Sequence, residues 1–217
     1  MAAIAAPPKP KQPVPGGPGG LPPVSGGGGG DGGRGGPDDA ALRLRRYKTG
    51  MWFGLISVVM LFAGFVSAYV VRKGVGTDWR PIQIPGILGF NTALLLVSSF
   101  TLERARRRQD HTQPTWLGIT SLLGALFLAL QYVAWRQLAA AGVYLSSNPA
   151  SSFFYVLTGA HGLHLLGGVL ALFYVTARSW GRRQWRGREA AVQTTSIYWH
   201  FMDGLWMFLF FLLLVGR

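Results

Sequence analysis

Four ionisable side chains stand inside long apolar stretches of this 217-residue chain: His161 and His164 in one, His200 and Asp203 in another. Each pair is spaced i, i+3, which puts its members on one face of a helix. Three imidazoles and a carboxylate are a donor set that suits zinc, iron or copper. The same residues could instead join two helices as a hydrogen-bonded network. At 1.5 Å per residue His164 lies about 17 Å from the outer start of its helix and Asp203 about 18 Å from the outer end of the next, so the two stand at similar depth. A carboxylate facing lipid there would cost about 2.5–3.5 kcal/mol or more, so Asp203 is expected to face inward toward an imidazole, with His164 opposite it. No further histidines or carboxylates complete a metal shell and no Glu-x-x-His pattern appears. The residues therefore lean to a structural polar cluster and leave the metal reading open. They assign no catalytic, cofactor-binding or metal-ligating side chain.

Cysteine is absent, which removes disulfides, thiol nucleophiles, thiolate metal sites and covalently attached haem. A haem–copper catalytic subunit would need more intramembrane histidines than three.

The elements that must hold these residues follow from composition. Hydrophobic residues make up 49% and charged residues 13% of the chain, too few charges to coat a soluble globule. Five apolar segments follow a polar beginning, at about 51–71, 87–105, 116–138, 152–177 and 192–215. A crossing helix needs about 20 residues, and four segments meet that length. The second is marginal and is expected to extend by snorkelling its charged end to the interface. The expected fold is an all-α integral membrane protein, a bundle of five transmembrane helices over 47–217. Residues 1–46 are expected to be a disordered cytoplasmic tail rich in glycine and proline, with nothing to bury and no apolar core of a secretory signal.

The net charge of +13 could suggest nucleic acid. The basic residues instead cluster in short loops, and sixteen of the 21 fall before the first segment, after the second and after the fourth. That placement puts the N-terminus in the cytoplasm and the C-terminus outside, and no nucleic-acid partner is expected. Other polar residues inside the spans, Ser57, Ser67, Asn91, Gln131 and Thr158, read as interhelical hydrogen bonding. Gly159, Gly162, Gly167 and Gly168 read as close helix packing. Trp199 and Trp206 lie too deep for an interfacial belt and should pack between helices.

Together the segment Thr158-Gly159-Ala160-His161-Gly162-Leu163-His164, then Glu189-Ala190-Ala191, then Tyr198-Trp199-His200-Phe201-Met202-Asp203-Gly204-Leu205-Trp206 resembles subunit III of the haem–copper terminal oxidases. Gly50-Met51 to Gly64-Phe65, Asn91-Thr92 and Gln131 extend the likeness over about 47–217, in a short five-helix bacterial form. The resemblance makes Gln131, Gly162, Trp199 and Trp206 family motif residues. It departs from the family at Val58, after Ser57, and at Ala134, where a glutamate is often found. The two N-terminal helices of the seven-helix form are missing, as in shorter bacterial members, so the resemblance does not imply the lipid-filled cleft they enclose.

What the resemblance implies is a companion subunit without redox cofactors, bound to oxidase subunits I and II in the bacterial inner membrane. Haem and copper would sit in those partners, and phospholipid could be bound. The complex would oxidise cytochrome c or quinol, reduce O2 to water and translocate protons in aerobic respiration. This chain alone would catalyse nothing, and without the glutamates no proton conduction transfers from the family to its side chains. The alternatives are a related component of a quinol oxidase or nitric oxide reductase and, more distantly, an intramembrane histidine-cluster metalloenzyme.

Overall fold

A computed structural model describes residues 37–80, 82, 85–108, 110–181 and 187–216. The chain divides into Met1–Gly35 and Gly36–Arg217, and everything described lies in the second unit. The expectation of a disordered tail falls, up to residue 36, outside the described residues.

Every regular element described is an α-helix: α1 Pro37–Val75, α2 Ile87–Arg107, α3 Gln113–Ala140, α4 Pro149–Gly181 and α5 Arg188–Gly216. The apolar runs locate all five. α1 corrects the tail boundary, because its helix begins at Pro37 and takes in residues 37–46. Proline at a first helical position suits that start, since its missing N–H would have no partner there. Hydrophobic length could not reveal this extension, which precedes the apolar residues.

Four helices are long and apolar enough to cross a membrane, α1 over Lys48–Val75 together with α3, α4 and α5. α2, the segment expected to be a marginal span, is not among them, a correction to the expectation of five spanning helices. Its 21 residues include Asn91 and end in Glu103, Arg104, Arg106 and Arg107, which dilute its apolar run.

α2, α3, α4 and α5 close a ring in which each helix packs on two neighbours: α2 on α3, α3 on α4, α4 on α5, and α5 back on α2. α1 lies outside the ring against α4 and α5. The centre is filled by Trp199, Trp206, Phe127, Phe154 and a set of leucines including Leu95, Leu165 and Leu172, all buried. Large apolar side chains such as Trp52, Met60, Leu163 and Phe211 point outward. In water that surface would be unfavourable, whereas hydrocarbon accepts it.

Short caps set the helix ends. Asn148 and Ser151 cap α4 reciprocally: Ser151 N–H donates to Asn148 Oδ1 at 3.1 Å and Asn148 N–H donates to Ser151 Oγ at 3.1 Å. α3 stops at Gly142, whose φ of 79° turns the chain back while Val143 N–H reaches Leu138 O at 3.0 Å. Between α2 and α3, Asp110 Oδ1 accepts from the Thr112 N–H at 3.0 Å and its hydroxyl at 2.6 Å. The Thr112 hydroxyl holds the Asp110 carboxyl below the usual carboxylate range.

Candidate functional site

The polar residues of the ring form a seam along α2, and its partners come from two sides. Toward α3, Asn91 Nδ2 donates to Gln131 Oε1 at 3.2 Å, and the Thr101 and Thr120 hydroxyls meet at 2.9 Å. Gln113 Nε2 donates to Ala105 O at 3.0 Å, and Arg188 of α5 donates to Gln113 Oε1.

Toward α5, the two buried indoles each find a hydroxyl on α2. Trp206 Nε1 donates to Thr92 Oγ1 at 3.0 Å and Trp199 Nε1 to Ser98 Oγ at 3.1 Å. At the next residue along each helix, His200 Nδ1 and Ser99 Oγ are 2.7 Å apart, and the other nitrogen, Nε2, faces Glu103 Oε2 at 3.8 Å. Glu103 is itself clamped by Arg106 Nε at 2.7 Å, Arg106 Nη2 at 2.8 Å and Arg107 Nε at 2.6 Å. Residue numbers fall along α2 as they rise along α5, so the two helices run antiparallel.

The four ionisable residues do not gather into one cluster. Asp203 is 5% exposed, and neither carboxylate oxygen has a hydrogen-bond partner among the described residues. Ser99 neighbours it without meeting hydrogen-bond geometry. His161 is fully buried with both ring nitrogens likewise unpaired. Its ring lies against Trp206, centroids 4.9 Å apart, and against the edge of Phe127 at 6.2 Å. His164 turns its Nδ1 to Ala160 O of its own helix at 2.8 Å, which makes that nitrogen the donor, and its ring meets Phe62 at 5.9 Å. Tyr198, not Asp203, reaches His164 from α5, donating to its backbone carbonyl at 2.8 Å. The expected pairing of Asp203 with His164 is absent among the described residues, where His164 bonds to its own helix and Asp203 has no hydrogen-bond partner. Among the described residues no three histidine or carboxylate side chains are grouped to hold a metal ion.

Sequence reasoning found Asn91, Gln131, Trp199, Trp206 and Thr158, whose hydroxyl accepts from Trp135 Nε1 at 3.1 Å. It named Thr92 only as part of the family likeness and missed Ser98, Ser99 and the pairing of Glu103 with His200, because only the register of α2 against α5 selects them. Among glycines, Gly124 was also missed. A Cβ there would stand 2.5 Å from the Trp199 ring, whereas one at Gly162 would meet open space. Val58 and Ala134, the positions that depart from the family, are both buried among apolar neighbours.

Residues 38–215 match the family described as cytochrome c oxidase subunit III. The chain is 33% identical over 172 residues to "Cytochrome c oxidase subunit 3" of Synechocystis, covering 75% of this chain and 72% of that protein. It is 34% identical over 169 residues to "Probable cytochrome c oxidase subunit 3" of Nocardia farcinica, covering 72% and 81%. To "Cytochrome bo(3) ubiquinol oxidase subunit 3" of Pseudomonas aeruginosa it is 32% identical over 169 residues, covering 74% and 80%. With the matched region spanning all five helices and the indole-to-hydroxyl seam that closes them, the chain belongs to the haem–copper oxidase subunit III family.

Proposed function

We propose that this chain serves as the companion of the catalytic subunits in a bacterial terminal oxidase, holding no redox centre itself while the complex reduces O2. The observation that carries this reading is the packed centre of the ring. Trp199, Trp206, Phe127 and Leu165 are each fully buried, so apolar side chains occupy the centre of the ring. Haem and copper would accordingly be held by oxidase subunits I and II, and electrons from cytochrome c or quinol would pass through those chains. This chain's own contribution is apolar surface and shape. Its outward side chains suit both lipid tails and a partner's helices, and its arginine-rich ends suit the polar boundary.

α2 serves as the fifth span. Its 21 residues reach about 31 Å, and it is packed between α3 and α5 from Leu88 to Ala105, while Arg104, Arg106 and Arg107 extend toward the headgroups. The sixteen basic residues at one end favour an N-terminus in the cytoplasm and a C-terminus outside the bacterial inner membrane.

The test is affinity purification of the tagged full chain in mild detergent. The expected result is a complex with a large catalytic subunit carrying haem and copper, and no metal in stoichiometric amount on this chain after the subunits are separated. Recovery of a stable homo-oligomer alone would overturn the companion role. One metal per chain, lost on His161→Ala or His200→Ala, would overturn the absence of a centre.

A further inference from the structure

Beyond the companion role, one layer of the ring holds buried polar atoms whose hydrogen-bonding capacity the chain leaves open. His161 is fully buried, and neither ring nitrogen has a hydrogen-bond partner among the described residues. Asn91 and Gln131, 1% and 2% exposed, bond to each other through Asn91 Nδ2 and Gln131 Oε1. That bond leaves Asn91 Oδ1 and Gln131 Nε2 without partners among the described residues. Exchanging oxygen for nitrogen in both amides reverses the bond and still leaves one donor and one acceptor.

The register of the helices brings these side chains to one level. A Cβ at Gly124 would stand 3.0 Å from Val169 Cγ2, and Trp135 Nε1 donates to Thr158 Oγ1 at 3.1 Å, so α3 and α4 run antiparallel. Position 131, one turn before Trp135, is then level with position 162, one turn after Thr158 and next to His161. Phe127, one turn from Gln131 on α3, agrees with that level, since its ring lies 6.2 Å from the His161 ring. From α5, the Trp206 ring lies 4.9 Å from His161 and 5.1 Å from Phe127, and its Nε1 donates to Thr92, the residue after Asn91. Asn91, Gln131 and His161 thus come from α2, α3 and α4 to the surroundings of the same two aromatic rings.

Buried polar atoms in native structures are hydrogen-bonded, and each one that finds no partner in its own chain requires an explanation. The open capacity here is mixed. Gln131 Nε2 donates, Asn91 Oδ1 accepts, and a neutral imidazole carries one donor and one acceptor. A molecule that both donates and accepts satisfies such a set. We propose that Asn91, Gln131 and His161 form an internal hydration site in which bound water bridges α2, α3 and α4. Gln131 Nε2 donates to the water oxygen, and the water hydrogens go to Asn91 Oδ1 and to the unprotonated nitrogen of His161. Three such bonds are the usual complement of a buried water. The His161 N–H, on the opposite edge of the ring, takes a second water as its acceptor.

The chemistry of the set selects this occupant over others. A transition metal is held by several imidazole, carboxylate or thiolate donors, and His161 is the one such group at this level. A larger polar solute would have to part the Trp206 and Phe127 rings, which are in edge-to-face contact. Water needs neither. The neighbouring pair Trp135 and Thr158 shows the contrast, because there a direct bond between α3 and α4 uses the indole N–H and no bridging molecule is called for.

The experiment is water-edited solid-state NMR on the full chain in lipid bilayers, with 15N in the glutamine, histidine and tryptophan side chains and the signals assigned by sequential correlation. The expected result is that magnetisation from water reaches the Gln131 amide and the His161 ring nitrogens. It should not reach the Trp199 indole nitrogen, which is fully buried too but bonded directly to Ser98 Oγ at 3.1 Å. Gln131→Leu, which removes the amide at similar volume, should abolish the transfer to His161. Absence of transfer to Gln131 and His161 in the unmodified chain would show a dry layer and overturn the site. Equal transfer to Trp199 would show general penetration by water and overturn it as well, as would transfer to His161 that persists in folded Gln131→Leu. Should that variant not fold, the three signals of the unmodified chain decide alone, and none of these results depends on whether an oxidase partner is found.

Discussion

Gly124 and Gly162 separate what sequence can say about a glycine from what packing decides. Gly162 stands between the two helix-four histidines and carries the family resemblance, yet nothing lies within 4 Å of a Cβ built on it. Gly124 has no distinguishing neighbours in sequence, yet its missing side chain is the space the Trp199 ring occupies. That ring cannot swing aside cheaply, because its Nε1 is bonded to Ser98 Oγ at 3.1 Å and Val169 Cγ2 would stand 3.0 Å from the same Cβ. Gly124→Ala should therefore lower the thermal stability of the isolated chain in detergent, at a cost of about 1–3 kcal/mol. Gly162→Ala should leave it unchanged or raise it slightly, since alanine is the better helix former by about 1 kcal/mol. Equal melting temperatures for the two variants would contradict the geometry. Residue type and depth were legible here: the tryptophans were expected between helices and were found there. Their partners were not legible, since Ser98 and Thr92 are chosen by the register of two helices more than a hundred residues apart in sequence.

The helices differ in how firmly they are held, and that difference follows from the ring. α2 is the least apolar of the five, yet it packs on α3 and α5 and carries the seam's hydrogen bonds to both. α1 is, over Lys48–Val75, the most apolar of the candidate spans, and among the described residues it packs on α4 and α5 alone, through side chains such as Phe62 and Tyr69. Hydropathy thus locates helices well and ranks their attachment poorly, because it reports affinity for hydrocarbon and not for a neighbouring helix. The α1 extension from Pro37 was hidden for the same reason, having no apolar run to announce it. Opening of a helix from a bundle is governed by its contacts, so backbone amides of α1 in the isolated chain should exchange with solvent faster than those of α2 in the same detergent. Mass-spectrometric hydrogen exchange resolves the two segments. Slower exchange across α1 than across α2 would show that α1 is anchored by something other than its contacts with α4 and α5.

Topology decides whether the whole ring crosses the bilayer as an alternating bundle, and the chain offers an unusually clean way to read it. Having no cysteine, it can carry single engineered thiols without background. Three exposed positions bracket the uncertain span: Val75 at the end of α1, His111 between α2 and α3, and Ser146 between α3 and α4. Under the proposed orientation, argued from the basic residues before α1, after α2 and after α4, His111 lies on the cytoplasmic side and the other two outside. In intact bacterial cells a membrane-impermeant maleimide should therefore label Val75→Cys and Ser146→Cys, and label His111→Cys only once the membrane is opened. The pattern tests α2 separately from orientation. If α2 crosses, Val75→Cys and His111→Cys lie on opposite sides whichever way the protein is inserted. If its charged end holds it at one surface, the two react together while Ser146→Cys, beyond the longer and more apolar α3, reacts from the other side. Labelling of His111→Cys alone in intact cells would reverse the orientation while keeping all five spans, so each outcome identifies which physical premise, charge bias or span length, had failed.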